Sequence, residues 1–497
     1  MAEVMYRSTR GESRTVAAAE AIVNGIAADG GLYVPTEIPQ LTIPWAELAA
    51  LSYQDLALQI MRLFLTDYTE AELAAAIEQA YDAKFDTPAL APLATHGSVH
   101  FLELYHGPTL AFKDMALSIL PHLLRLAAQK CGLTQEVVIL TATSGDTGKA
   151  ALEGFAEVPG VKIIVFFPEH GVSPVQKRQM VTQAGANTYV IGIEGNFDDA
   201  QSGVKAMFTD AQLRQQMQQA GYVFSSANSI NIGRLVPQVV YYYYAYLQLL
   251  SQGKVRAEQA INFAVPTGNF GNILAAYYAR CLGLPIGKLI CASNTNKVLF
   301  DFLTTGVYNK DRQFFVTMSP SMDILISSNL ERLLYHASGE NTAWVKDQMT
   351  YLTQQGHYQV PSTVQTAMSS FVGGYATEEA TAAAISSVYQ QSHYLIDPHT
   401  AVAYAVLQQY LADSGDPTPT VVVSTASPFK FAKDVLEAIA GQQPTEDEFT
   451  LLSKLAQTAA QPVPAAIRDL PTRPTLHKTV CEKDEMRQVV ESILQLS

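Results

Sequence analysis

Lys113 stands in the stretch HGPTLAFKDMAL, between a Gly-Pro turn and an apolar run that reads as a helix from about Phe112. A helix N-terminus carries partial positive charge, so an ammonium there has the wrong sign. Leu110, Ala111 and Phe112 add apolar neighbours, and burial disfavours the charged form of an amine. Both effects favour a neutral lysine, the form that condenses with an aldehyde. A solvated surface lysine is the ordinary alternative for any one lysine.

Three more loops of chemical interest follow strand-like runs. PTGNFGN, Pro266 to Asn272, offers Gly268, Asn269, Phe270, Gly271 and Asn272 ahead of a helix. Glycines allow close backbone approach to an anion, and free amides at a helix start bind one. A plain strand–helix turn explains that loop by itself equally well. TSGDTG, Thr143 to Gly148, supplies Ser144, Thr147 and the amides around Gly145 as a nest for phosphate or carboxylate. Asp146 opposes anion binding, so it either caps the following helix or bonds a hydroxyl or iminium group. In STASPFKF, Ser424 to Phe431, Ser424 or Thr425 suits a ring nitrogen, although a turn before Pro428 accounts for the stretch alone. Arg234 in NSINIGRL can grip an anion bidentately or lie on a helix surface. An activated lysine together with an anion cradle fits an aldehyde cofactor with a phosphate tail, such as pyridoxal 5'-phosphate.

These loops need elements to hold them. VHFLEL, EVVILTAT, VKIIVFFP, NTYVIGIEG, INFAVPTG, KLICASN and TPTVVVST are short, β-branched and apolar without clean alternation. Helical runs separate most of them, which predicts an open α/β fold with mostly parallel sheets flanked by helices. In such folds ligands bind outside the carboxyl ends of the strands, where all four loops lie. Before residue 95 the chain is helical and mixed, and TEAE predicts a capping box from Thr69 to Glu72. YYYYAY at 241–246 reads as a buried helix face. The expected domains are 1–95, an α/β core over 96–435 with two subdomains and a peripheral insert at about 300–395, and an extension over 436–497.

Composition narrows the partners. A net charge of -14 argues against nucleic acid, and 24 tyrosines with 20 phenylalanines require a large core. Four cysteines without a C-x-x-C pair signal neither zinc nor disulfides, and no metal is assigned. YYYYAYLQLL is too short to span a bilayer, and the expectation is a cytoplasmic protein, monomeric or a small homo-oligomer. No glycine pattern of a dinucleotide or P-loop site is present.

YRSTRG, DGGLYVP, HGPTLAFKD, TATSGDTG, NSINIGR, VPTGNFGN and STASPFKF occur in that order, to about residue 435. The set resembles the threonine synthase family, in the branch found in fungi and many bacteria. The resemblance implies the tryptophan-synthase β-subunit fold (pyridoxal-phosphate fold type II) and conversion of O-phospho-L-homoserine and water to L-threonine and phosphate, the last step of threonine biosynthesis. It implies that Lys113 carries the cofactor, that Gly268 to Asn272 hold its phosphate, and that Thr425 faces the ring nitrogen. Asp146 takes the place where many relatives of this fold use Asn near the cofactor's 3-hydroxyl. Ser144, Thr147 and Arg234, with Lys149 further out, are expected to hold the substrate phosphate. A phospholyase on the same substrate or a threonine/serine dehydratase would share the cofactor residues. A non-catalytic metabolite-binding relative would be expected to have lost the lysine or the glycine loop.

Overall fold

The computed structural model describes residues 3–143, 145–170 and 172–496, and the side chain of Asp198 lies outside that description. An antiparallel ribbon of β1 (Tyr6–Ser8) and β2 (Tyr33–Pro35) opens the chain. Helices Tyr53–Phe64 and Glu70–Ala80 follow, the second begun by the expected capping box, with Thr69 N–H on Glu72 and Glu72 N–H on Thr69.

Two open sheets make the core. β3 (Leu93–His96) and β4 (Val99–Glu103) form an antiparallel pair at one edge of the larger sheet. The chain then leaves to build β5 (Glu136–Ala142), β6 (Val161–Pro168), β7 (Thr188–Glu194) and β8 (Tyr222–Ser225). It returns through the helix Ile232–Ser251 to β9 (Ile261–Pro266) and β10 (Ile286–Ser293). A small ribbon of β11 (Val307–Asn309) and β12 (His357–Gln359), then β13 (Phe371–Tyr375), β14 (Thr420–Ser424) and β15 (Thr479–Glu482) complete the strands. The larger sheet runs β13-β10-β9-β14-β4-β3 and the smaller β15-β7-β6-β5-β8. Apart from the β3–β4 pair, every pairing in these two sheets is parallel. Every residue of β9 and β14 is buried, because helices cover both faces of a parallel sheet.

Two stretches differ from the sequence reading. Residues 300–395 are not wholly peripheral, since β13 is an edge strand of the larger sheet. Its sequence, FVGGY, hides the strand, because Gly374 is where Val406 of helix Pro398–Ser414 packs against the backbone. The extension over 436–497 is likewise not separate from the α/β core. β15 adds to the edge of the smaller sheet, where one face meets solvent and TVCE needs no apolar run. YYYYAY is buried as expected within Ile232–Ser251. Among the described residues no helix is long and apolar enough to cross a membrane.

Candidate functional site

β4, β5, β9 and β14 each end in one of the four loops, and the folding of two sheets side by side brings those loops together. The 106–113 loop is pinned by Asp114, which accepts the Thr109 N–H at 2.8 Å and the Thr109 hydroxyl at 2.5 Å. A Cβ at Gly107 would stand 2.5 Å from Asp114, so the turn requires glycine there. The loop is tied to the segment after β14 by Phe112 N–H on the Thr425 carbonyl (2.8 Å) and Ser427 N–H on the Leu110 carbonyl (3.0 Å).

Lys113 precedes a single helical turn, Asp114–Leu117, with a longer helix starting only at Leu120. One turn sums few peptide dipoles, so burial rather than the helix end controls its amine. Burial pushes Lys113 down to about 8, Lys430 and Arg234 add to that, and Asp146 and Asp114 oppose it. The side chain is 11% exposed. Its Nζ donates to Ser321 Oγ at 3.3 Å and stands 3.8 Å from Asp146 Oδ2.

Asp146 begins the helix Asp146–Phe155 after Gly145, whose φ of 138° is one that side-chain-bearing residues avoid. Its Oδ1 meets Lys430 Nζ at 2.6 Å and accepts from Gln176 Nε2 at 3.1 Å. Ser321 Oγ donates to its Oδ2 at 3.3 Å. Burial raises the Asp146 carboxyl, but the charges of Lys430 and Lys113 outweigh that and hold it far below the usual carboxylate range. Lys430 also donates to the Thr109 carbonyl at 2.9 Å. Behind Ser321, His399 Nε2 accepts the Ser321 N–H at 3.1 Å while Nδ1 meets Asp397 at 2.6 Å. An accepting Nε2 places the ring proton on Nδ1, donated to Asp397.

The 266–272 loop faces the same centre. Phe270 adopts left-handed backbone, φ 65°, and turns the chain into the helix Gly271–Cys281. Among the described residues no backbone N–H from Gly268 to Asn272 donates to a protein acceptor. Asn272 Oδ1 accepts from Tyr241 (2.6 Å) and Tyr242 (2.7 Å), which leaves its buried Nδ2 without a partner. A Cβ at Gly268 would lie 2.7 Å from the Ser321 carbonyl. Free amides, an orphaned amide donor and a glycine-lined approach make a cradle for an anion. Asn329 closes the back of it, donating N–H and Nδ2 to the Asn269 carbonyl. Next to it, Arg332 is fully buried on Tyr33, Ile230 and Asn329, and Glu331 takes Thr9 and both guanidinium arms of Arg10. The YRSTRG and DGGLYVP motifs thus anchor to the helix that holds this loop.

The remaining sequence candidates divide. Thr425 is buried beside Lys113's loop, and the neighbouring Ser424 Oγ has no hydrogen-bond partner. Arg234 is buried, donates Nη1 to the Ala227 carbonyl and keeps Nε unpartnered. Burial lowers it to about 10. Thr147 is half-buried in the first turn after Gly145. Ser144 lies outside the described residues. Lys149 is not with this group. Its ammonium is held by Glu153 at 2.8 Å and by Gln183, on the face toward helix Pro174–Val181, and its charge is matched there by the Glu153 carboxylate. Sequence reasoning did not single out Lys430, Ser321, His399, Gln176 or Asn329. Only Lys430 left a signal, as a lone cation inside STASPFKF.

Three family models match in sequence along the chain. They are threonine synthase N terminus over residues 5–81, pyridoxal-phosphate dependent enzyme over 82–355, and threonine synthase C-terminal over 400–493. The chain is 40% identical to a threonine synthase of Pseudomonas aeruginosa, over 88% of this chain and 91% of that one. It is 38% identical to the human protein named threonine synthase-like 1, over 95% of this chain, and there it spans 63% of the relative's length. A crystal structure of pyridoxal-phosphate-bound threonine synthase from Brucella melitensis superposes with a TM-score of 0.87 at 38% identity, covering 99% of each chain.

Proposed function

The chain belongs to the threonine synthase family of pyridoxal-phosphate-dependent enzymes, and from that premise we propose that it converts O-phospho-L-homoserine and water to L-threonine and phosphate. The observation that carries the reading is a buried lysine amine, lowered to about 8 and hydrogen-bonded to one hydroxyl at 3.3 Å, opposite an anion cradle with unused donors.

The residues fit the cofactor. Lys113 supplies the amine for its aldehyde, and the Gly268–Asn272 amides with Asn272 Nδ2 would hold its phosphate. Ser424 and Thr425 supply hydroxyls for the ring nitrogen. The carboxylate and lysine of the Asp146–Lys430 pair lie on the Lys113 side of the site. Bound there, pyridoxal phosphate supplies the electron sink that lets protons leave carbon.

The protein's own part is to bind, orient and move protons. With cofactor and substrate bound, the Lys113 amine would be the group placed to take up and return them, and its lowered pKa suits work near neutrality. Two protons leave, from the α- and β-carbons, as the phosphate departs from the γ-carbon. One proton returns to the γ-carbon and one to the α-carbon, water supplies the hydroxyl at the β-carbon, and its remaining proton leaves with the phosphate, which balances the overall reaction. Ser321, fixed by His399, keeps the amine aimed while it waits. Arg234, with Thr147 and Ser144, is the reading for the substrate phosphate, since a guanidinium matches phosphate geometry and Arg234 has donors to spare. A neutral hydroxyl at the ring nitrogen, instead of a carboxylate, does not enforce protonation there. Proton placement by Lys113 then decides the outcome.

The test is turnover of O-phospho-L-homoserine with threonine and phosphate both quantified. Equal amounts support the proposal, and 2-oxobutyrate without threonine overturns it in favour of a phospholyase. An absorption band of bound cofactor, lost in Lys113→Ala, checks the lysine separately.

A further inference from the structure

Asp146 stands between two amines and leans on one. Its Oδ1 is 2.6 Å from Lys430, whose side chain is 0% exposed, while its Oδ2 is 3.8 Å from Lys113. Lys430 comes from the loop after β14 and Asp146 from the loop after β5, so the contact spans the two sheets. We propose that Lys430 is a positioning residue that takes up the Asp146 carboxylate and so leaves Lys113 free to give up its proton.

The charges around Lys113 come from every wall of the site. Asp114 follows it on its own loop, Asp146 faces it from helix Asp146–Phe155, and Lys430 from the segment after β14. Arg234 adds a cation from helix Ile232–Ser251, and the 319–322 turn presents Ser321 with His399 behind it. Asp114 is engaged by both donors of Thr109, so Asp146 is the carboxylate that decides. With Lys430 in place its charge is matched at contact distance, and Coulomb attraction for Lys113 is largely offset by repulsion from Lys430. Without Lys430, the nearest cation to Asp146 is Lys113 itself, and the pair would hold the proton as an ammonium. A buried ion pair seldom adds much stability over apolar packing, which suits a role in proton control.

The inference rests on Lys113 being the amine that meets the aldehyde, but its test does not. Competitive labelling of the full-length protein with acetic anhydride, after cofactor removal, reads the protonation of Lys113 against pH by mass spectrometry. Lys430→Met is expected to raise the midpoint of Lys113 by about 1–2 pH units, the effect of exposing an amine to one unmatched neighbouring carboxylate. Asp146→Asn is expected to lower it, and Lys430→Arg to leave it in place. The double variant Lys430→Met/Asp146→Asn returns it toward the wild-type value. The pH at which added pyridoxal phosphate forms its absorbing adduct should move in the same directions. A purely structural role predicts no opposed shifts. Unchanged midpoints, or shifts of one sign in Lys430→Met and Asp146→Asn, overturn the inference. If one variant fails to fold, the sign in the other still decides. Opposed labelling shifts in a protein that forms no adduct would support the inference and overturn the functional reading instead.

Discussion

Gly268→Ala asks whether the anion loop and the Ser321 turn are one body. A methyl there stands 2.7 Å from the Ser321 carbonyl oxygen and 3.4 Å from Met322 Cα. Backbone is in the way, so the 319–322 turn must retreat by about 0.7 Å to reach ordinary contact. Overpacking of this kind costs about 1–3 kcal/mol. The same turn carries Ser321 Oγ, whose bonds to Lys113 and Asp146 are both 3.3 Å and have little length to spare. Urea denaturation of the cofactor-free protein should therefore show a loss of about 1–3 kcal/mol. Absorbance titration with pyridoxal phosphate should show affinity weakened about tenfold, the equivalent of about 1.4 kcal/mol. Gly271→Ala is the control within the same loop. Its methyl meets only the Asn329 side chain, with Nδ2 at 3.4 Å and Cγ at 3.9 Å, so stability should stay within about 0.5 kcal/mol of wild type. Equal stability in the two variants, or wild-type cofactor affinity in Gly268→Ala, refutes the reasoning.

Other outcomes follow from the same geometry. Lys113 is lowered to about 8 from 10.5, so between those values the unfolded chain holds a proton that the folded chain has lost. Cofactor-free stability relative to Lys113→Met should thus rise with pH across that window, by at most about 1.4 kcal/mol per unit, in paired urea titrations; a fall with pH contradicts it. Arg332→Met leaves three buried acceptors, on Tyr33, Ile230 and Asn329, without their donor. Calorimetry should show a loss of at least about 1–3 kcal/mol, the cost of leaving a buried acceptor unpaired, and an unchanged Tm contradicts the anchoring role. Lys149→Met should leave KM for the phosphorylated substrate within about twofold, because that ammonium serves Glu153; a tenfold rise would return Lys149 to the substrate site.

Much of this site was legible in the sequence, for a definite reason. A parallel strand buried on both faces reads as an apolar run, and the loop after it must lie at the ligand-binding edge. VVILTATSGDTG, NFAVPTGNFGN and TVVVSTASPFKF therefore put three loops at one edge on the sequence alone. What stayed hidden depends on pairings across the chain. Asp146 and Lys430 touch only because β5 and β14 belong to two sheets that close on each other. Ser321 sits in a stretch without periodicity and gains its place through His399 and Gly268. Lys149 misled because it follows TSGDTG, yet its ammonium is drawn to Glu153, one turn further along the same helix, and to Gln183. Tyr241 and Tyr242 are core residues as their spacing suggests, and their hydroxyls also orient Asn272.

The most direct measurement is turnover of O-phospho-L-homoserine in water enriched in oxygen-18, with products read by mass spectrometry. Threonine carrying one heavy oxygen, with phosphate carrying none, is expected, because water adds at the β-carbon and the γ-carbon–oxygen bond breaks. Heavy oxygen in phosphate beside unlabelled homoserine, or 2-oxobutyrate in place of threonine, would contradict the account.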